Sequence, residues 1–160
     1  MLHINIICIG KLKEQYLKDA LNEYSKRLYK YCSLKIIELP DEKVPENLNA
    51  NIINKIKEIE SNNILSHIKN NSYTIALDLH GKQLSSEEFS LKIENIALNN
   101  NSNINFIIGG TLGLSDKLLK QATELISFSK MTFPHQLIRI FLLEQIFRAF
   151  KILSNEKYHH

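Results

Sequence analysis

Three of the five glycines in this chain, Gly109, Gly110 and Gly113, fall within one five-residue stretch. They come after the apolar run Ile104–Ile108 and precede a helical pattern from Leu114 to Leu125. Glycine lets a backbone take positive φ or come very close to another molecule. A strand that runs into glycines and then a helix is where an open α/β sheet usually takes a ligand. The spacing is not that of a Walker A loop, because no Gly-Lys-Ser/Thr is present after it. It is not G-x-G-x-x-G either, and no acid stands at the ribose-binding position. A ligand site and a tight structural turn both stay open for it.

A second stretch carries more information. Phe128-Ser129-Lys130-Met131-Thr132-Phe133-Pro134-His135 leads directly into Gln136-Leu137-Ile138-Arg139. Pro134 fixes its own φ and pushes Phe133 out of the helical region. A Phe, a Met and exposed backbone groups side by side suit a flat heterocycle, although lone aromatics at such spacing also serve cores. Asp78 and His80 stand before Gly81 at the end of a strand-like run, where polar groups either face a ligand or cap a turn. For His80 the turn is the preferred reading. Six histidines show no metal-ligand spacing, so no metal site is expected.

Only three arginines occur, Arg27, Arg139 and Arg148, against a background rich in Lys, Asn and Ile. An arginine that persists in such a background is one whose planar fork matters. Arg139 and Arg148 are nine residues apart in one helical segment, on opposite sides at about 100° per residue. They do not easily serve one site in one chain. Glu144 and Arg148 have the four-residue spacing of an intrahelical ion pair.

The elements that must position these residues alternate. Leu2–Ile9, Leu34–Leu39, Tyr73–Leu79 and Ile104–Ile108 read as strands, and Leu125–Phe133 as a fifth strand or extended run. Helices are expected at about 13–31, one or two within 52–69, from Ser85-Ser86-Glu87-Glu88 to about Leu98, shortly after Ser115-Asp116, and from Gln136 to Leu153. This order predicts an α/β fold, a mostly parallel sheet with helices on both faces, in a single domain over residues 1–160. The last helix is apolar around almost its whole circumference, which requires burial on all sides. A homodimer built on this helix is the simplest solution; a central helix within one protomer is the other.

The totals are ordinary for a globular domain. The net charge of +3 permits a polyanionic partner without requiring one. No signal peptide or membrane span is legible, so the expectation is a cytoplasmic protein that does not engage a membrane. Cys8 and Cys32 lack redox or metal spacing and read as packed thiols.

Taken together, these segments resemble the RlmH (YbeA-like) methyltransferases of the SPOUT superfamily. The resemblance covers the whole chain. It rests on Leu77-Asp78-Leu79 with Gly81-Lys82, Phe106–Gly110 with Gly113-Leu114, and Leu125–His135. Arg139, Glu144-Gln145, Phe147-Arg148-Ala149-Phe150 and Tyr158-His159 continue it. It implies a C-terminal deep trefoil knot that forms an S-adenosylmethionine pocket at a dimer interface. It also implies methylation of N3 of a pseudouridine, position 1915 in helix 69 of 23S rRNA, on assembled 70S ribosomes. Carried over by motif, Leu77, Gly109 and Phe128, Ser129, Lys130, Met131, Thr132 and Phe133 would hold the cofactor. Tyr158 and His159 would act at the reaction centre, and Arg139 and Arg148 would hold phosphate or the base. Phe147 stands where relatives often carry Tyr, and no Pro precedes Tyr158. A flavodoxin-like or Rossmann-like nucleotide binder is the alternative, with the glycine loop on phosphate. A catalytically silent dimeric module that binds ribosomal particles is a third reading.

Overall fold

The computed structural model describes residues 1–156. Its elements are β1 (Leu2–Ile9), α1 (Gln15–Leu28), β2 (Cys32–Leu39), α2 (Ala50–Ser66), β3 (Tyr73–Gln83), α3 (Ser86–Leu98), β4 (Asn103–Ile108), α4 (Asp116–Gln121), β5 (Glu124–Ser127) and α5 (His135–Leu153). The strands form one sheet in the order β2-β1-β4-β3-β5. All four pairings are parallel. This is the α/β architecture with helices on both faces that the alternation predicts.

Period-two alternation within each strand divides the core. Ile4, Ile6 and Cys8 of β1 join Ile104, Phe106 and Ile108 of β4 on one face, packed against α1, α3 and α5. Ile7 and Ile9 with Ile107 point the other way, against Ile64 of α2 and Leu118 of α4. Helix starts obey their local chemistry. Ser85 and Glu88 form a reciprocal capping box on α3, with Ser85 N–H donating to Glu88 Oε2 at 2.7 Å. Asn49 and Ser115 cap α2 and α4 through their side chains. Cys8 and Cys32 are buried free thiols, and burial pushes the pKa of both up to about 11. At neutral pH they are therefore protonated.

Two elements differ from the sequence expectation. β5 stops at Ser127, and Phe128–Pro134 is a loop rather than a continued strand. Its turn is set locally: Ser127 Oγ donates to Ser129 O, and Ser129 Oγ accepts from Met131 N–H. β3 runs on past Leu79 but is interrupted. Leu77 and Lys82 both register against Ile126, so Asp78–Gly81 bulges out of the sheet.

The apolar circumference of α5 is taken up in part within the same chain. Ile140, Leu142, Leu143, Ile146, Phe147 and Ala149 are buried. α5 packs against both α1 and α3, while Leu137, Ile138, Phe150, Ile152 and Leu153 remain half-buried. Phe141 keeps 40% of its surface exposed.

The bulge brings two backbones together. A Cβ on Gly81 would lie 2.6 Å from backbone atoms of Ile126 and 2.7 Å from Leu125. Backbones that pass this close leave room for glycine alone. Gly81→Ala is expected to destabilise the fold by about 3 kcal/mol, the upper end of the usual overpacking cost, because the obstructing atoms are backbone and do not swing aside. Urea unfolding of the purified variant checks this.

Candidate functional site

The carboxyl ends of β4, β3 and β5 lie side by side, and the segments just beyond them build one cleft of about 810 Å³. After β4 comes the glycine loop. Gly113 N–H donates to Gly110 O at 3.1 Å, and Gly113 sits at φ +86°, closing a tight turn. Gly109 forms part of the cleft wall. A Cβ there would stand 3.0 Å from the Leu114 side chain, so the loop's own packing already asks for glycine. The bulge of β3 contributes Leu77, Asp78 and His80, and Asp78 Oδ2 accepts from His80 N–H at 3.0 Å. The loop after β5 forms the far wall and ends at Pro134 and His135.

Of the eight expected cofactor residues, seven line this cleft: Leu77, Gly109, Phe128, Ser129, Met131, Thr132 and Phe133. Lys130, in the same loop, is not part of the lining. Met131 is 73% exposed, at the mouth. The walls are mostly apolar, with the carboxylates of Asp78 and Asp116 and the ammonium-bearing Lys57 among them. Such a cleft suits a flat, partly cationic molecule: apolar faces for a ring, backbone polar groups for its edge, carboxylates for positive charge.

The glycine loop is also held from behind. Glu60 of α2 is 4% exposed, and its carboxylate lies 3.1 Å from where a Gly110 Cβ would stand. Glu60 Oε2 accepts from Glu42 N–H at 3.0 Å, and the neighbouring Ser61 Oγ accepts from Ser115 N–H at 2.9 Å. Burial raises the Glu60 pKa above its ordinary value, against the lowering effect of the Glu42 hydrogen bond.

Arg139 has a different task from the one expected. It does not reach out to phosphate or a base, since it is 0% exposed. Its Nη2 donates to Ile9 O at 2.9 Å and Gly10 O at 2.8 Å, and its Nη1 to Glu38 Oε2 at 2.9 Å. Glu38 Oε2 also accepts from Leu12 N–H at 2.8 Å. The guanidinium thus ties the second turn of α5 to the carboxyl ends of β1 and β2. Arg148 lies elsewhere on α5 and is partly exposed; Nε and Nη2 both donate to Glu144 Oε1, at 3.1 and 2.7 Å. Tyr158 and His159 fall outside the described residues.

With this geometry in view, the comparisons with known proteins are decisive. A family model described as Predicted SPOUT methyltransferase matches residues 2–159. The chain belongs to this SPOUT methyltransferase family. It is 60% identical over 158 residues to a Clostridium botulinum (strain 657 / Type Ba4) protein named ribosomal RNA large subunit methyltransferase H, covering 99% of both chains. It is 56% identical, at the same coverage, to ribosomal RNA large subunit methyltransferase H 1 of Clostridium perfringens (strain SM101 / Type A). The fold resembles a solved structure described as a probable methylase family protein from Haemophilus influenzae Rd KW20. That match has a TM-score of 0.57 at 11% identity and covers 98% of this chain and 70% of the other.

In this SPOUT chain the sequence reading missed Glu38, Glu60 and Asp116. Glu60 left a signal: it lies on the apolar line of Ile56 and Ile64, four residues from each, where a carboxylate has to be held by partners. Glu38 left none, because its partner is 101 residues away. Among the described residues no group of three or more His, Cys, Asp or Glu converges as a metal site. No helix among them is long and apolar enough to cross a membrane.

The α5 clamp can be tested at two residues. Arg139→Met removes the donor from two backbone carbonyls and a carboxylate, and is expected to cost about 3–5 kcal/mol in chemical unfolding. His135, beside that clamp, has its pKa lowered first by burial and then by the Arg139 charge, with Asp41 opposing. It is therefore neutral when folded, while the unfolded chain takes up the proton near pH 6.5. Stability should fall as pH drops through about 6.5 toward the folded value. His135→Gln should flatten that slope in urea titrations at successive pH values.

Proposed function

We propose that this chain is an S-adenosylmethionine-dependent methyltransferase of large-subunit ribosomal RNA, working in the cytoplasm as a homodimer. The proposed target is N3 of a pseudouridine in helix 69 of 23S rRNA, position 1915, in assembled 70S ribosomes. The observation that carries the reading is the convergence of Leu77, Gly109 and the Phe128–Phe133 loop on one cleft. The whole-length relatives named for ribosomal RNA methylation supply the substrate class. The close passage of Gly81 against Leu125 and Ile126 is consistent with a knotted C-terminal part.

The residues present fit the cofactor. Ile108, Leu114, Ile126 and Phe128 offer apolar surface to an adenine ring. Asp78 and Asp116 place negative charge in a cleft that would hold a sulfonium and an ammonium. When bound, S-adenosylmethionine supplies a methyl carbon activated by the adjoining sulfonium charge. The protein's part is to position the two reactants and to shed water. Arg148, oriented by its two bonds to Glu144, holds phosphate or the base. Tyr158 and His159 complete the reaction centre. The mild net charge suits a substrate presented by an assembled particle rather than gripped as free RNA.

A phosphate ligand at the glycine loop, the flavodoxin-like alternative, is served less well. Ser115 N–H, at the start of α4, is already bonded to Ser61 Oγ, and Leu118 N–H to Ser115 Oγ. Two of the amides that a phosphate would use at this helix start are thus already engaged.

The test is methyl transfer from radiolabelled S-adenosylmethionine to 70S ribosomes lacking the helix 69 methyl group, with free 23S rRNA alongside. Label is expected at the pseudouridine with ribosomes and not with free RNA. Gly109→Trp should abolish cofactor binding. His159→Ala should leave binding intact and slow transfer by more than about tenfold, the scale of a lost acid–base or positioning group. Unchanged cofactor affinity in the Gly109 variant would refute the cleft assignment.

A further inference from the structure

A second cavity, of about 390 Å³, opens between the start of α3 and the α5 face bearing Phe141, Glu144 and Gln145. Ile126, Ser127, Phe128 and Phe133 line it and also line the cofactor cleft. The two cavities therefore adjoin along these four residues, and an occupant of the smaller one stands beside an occupant of the larger.

Its walls are flat and aromatic. Phe89, Phe128, Phe133 and Phe141 all contribute, and Phe133 meets Phe141 edge to face at 5.6 Å between ring centroids. Phe141 presents exposed surface beside them. The polar groups are confined to Ser85, Ser86 and Ser127 and to the pair Glu144 and Gln145 on α5. They are ordered by bonds among themselves. Ser86 Oγ donates to Gln145 Oε1 at 2.7 Å, and Gln145 Nε2 donates to Glu144 Oε2 at 3.0 Å. These two bonds fix which end of the Gln145 amide is oxygen and which is nitrogen. Beyond them the amide keeps one N–H and one lone pair by valence.

We propose that this cavity receives the target pyrimidine base, stacked on Phe141 and read along its edge by the Gln145 amide, beside the cofactor. The inference rests on the reading of the chain as an RNA methyltransferase and deepens it. Three features favour a base over an apolar segment of a partner chain. Every base has a π face that stacks on an aromatic ring. An oriented amide offers a donor and an acceptor to the alternating groups on a base edge. An apolar occupant would cover the remaining N–H and lone pair of the Gln145 amide with hydrocarbon.

The experiment compares wild type with Phe141→Leu, Phe141→Tyr and Gln145→Leu, each as the full chain. Three quantities are measured: the rate of transfer to undermethylated 70S ribosomes at saturation, the ribosome KM, and the Kd for S-adenosylhomocysteine by calorimetry. Phe141→Leu and Gln145→Leu are expected to lose at least about tenfold in rate, the scale of one lost stacking or edge contact. Ribosome KM should move less than about threefold, because docking on the particle uses other surface. S-adenosylhomocysteine Kd should stay within about twofold, which also certifies the fold. Phe141→Tyr should recover most of what Phe141→Leu loses, since it restores the stacking face.

Wild-type rates in both Leu variants would overturn the proposal. So would a parallel loss of S-adenosylhomocysteine binding, which would make the cavity part of the cofactor site. A shift of Phe141→Leu to a smaller species in sedimentation would assign the face to a second copy of the chain and overturn it as well. If wild type neither binds S-adenosylhomocysteine nor methylates ribosomes, it is the methyltransferase reading that fails, and this proposal falls with it.

Discussion

Arg139 brings a permanent positive charge into the interior, and the site depends on how that charge is accommodated. Its guanidinium spans from α5 to the backbone carbonyls of Ile9 and Gly10 and to Glu38. Each bond to a charged group is worth about 1.5–3 kcal/mol, against a desolvation penalty of several kcal/mol per buried ion. The net contribution to stability is therefore modest. What the clamp supplies is registry. α5 has one position along the sheet in which the guanidinium finds all three acceptors. That position sets where Pro134 and His135 stand, and so where the Phe128–Phe133 loop must close.

The cleft results from this anchoring and from the direction of the strands. In a parallel sheet the loops leaving the strands' carboxyl ends gather on one side. Here β4 ends in the glycine loop, β3 bulges at Asp78–Gly81, and β5 stops after four residues. The three irregularities are adjacent, and together they make room for a ligand. The Gly81 passage against Leu125 and Ile126 holds the bulge to β5 with no space for a side chain. Ser61 of α2 ties down the end of the glycine loop at Ser115, and the Glu60 carboxylate packs beside Gly110. The pocket is thus built from segments without regular structure, each fixed by one buried or close contact.

Function in this family rests on placing two molecules side by side. Two cavities adjoin along Ile126, Ser127, Phe128 and Phe133. One is large and carboxylate-bearing. The other is smaller and aromatic, with an oriented amide. The same loop therefore shapes both, and a change in it is felt on either side.

The alternation of apolar runs predicted the order of strands and helices, with the count over 52–69 and the extent of the fifth strand left open. Strand Leu2–Ile9 and the capping box at Ser85 are local signals of hydrophobic period and side-chain chemistry. The stretch Phe128–Pro134 stood out for its Phe, Met and Pro residues, although its apolar pattern read as a continuation of the fifth strand. Other properties needed the third dimension. Nothing near Arg139 in sequence says that it is buried, because Glu38 and the Ile9 carbonyl are 101 and 130 residues away. Exposed and buried arginines look alike on an apolar helix until their acceptors are placed. The need for glycine at position 81 came from β5, a strand that begins only at Glu124. The early end of β5 was hidden because its apolar pattern continues where its partner strand does not. Sequence determined what each segment is, since propensity and periodicity act over a few residues. Tertiary structure decided which polar groups face a ligand and which hold the fold, because that depends on partners brought together only when the chain closes.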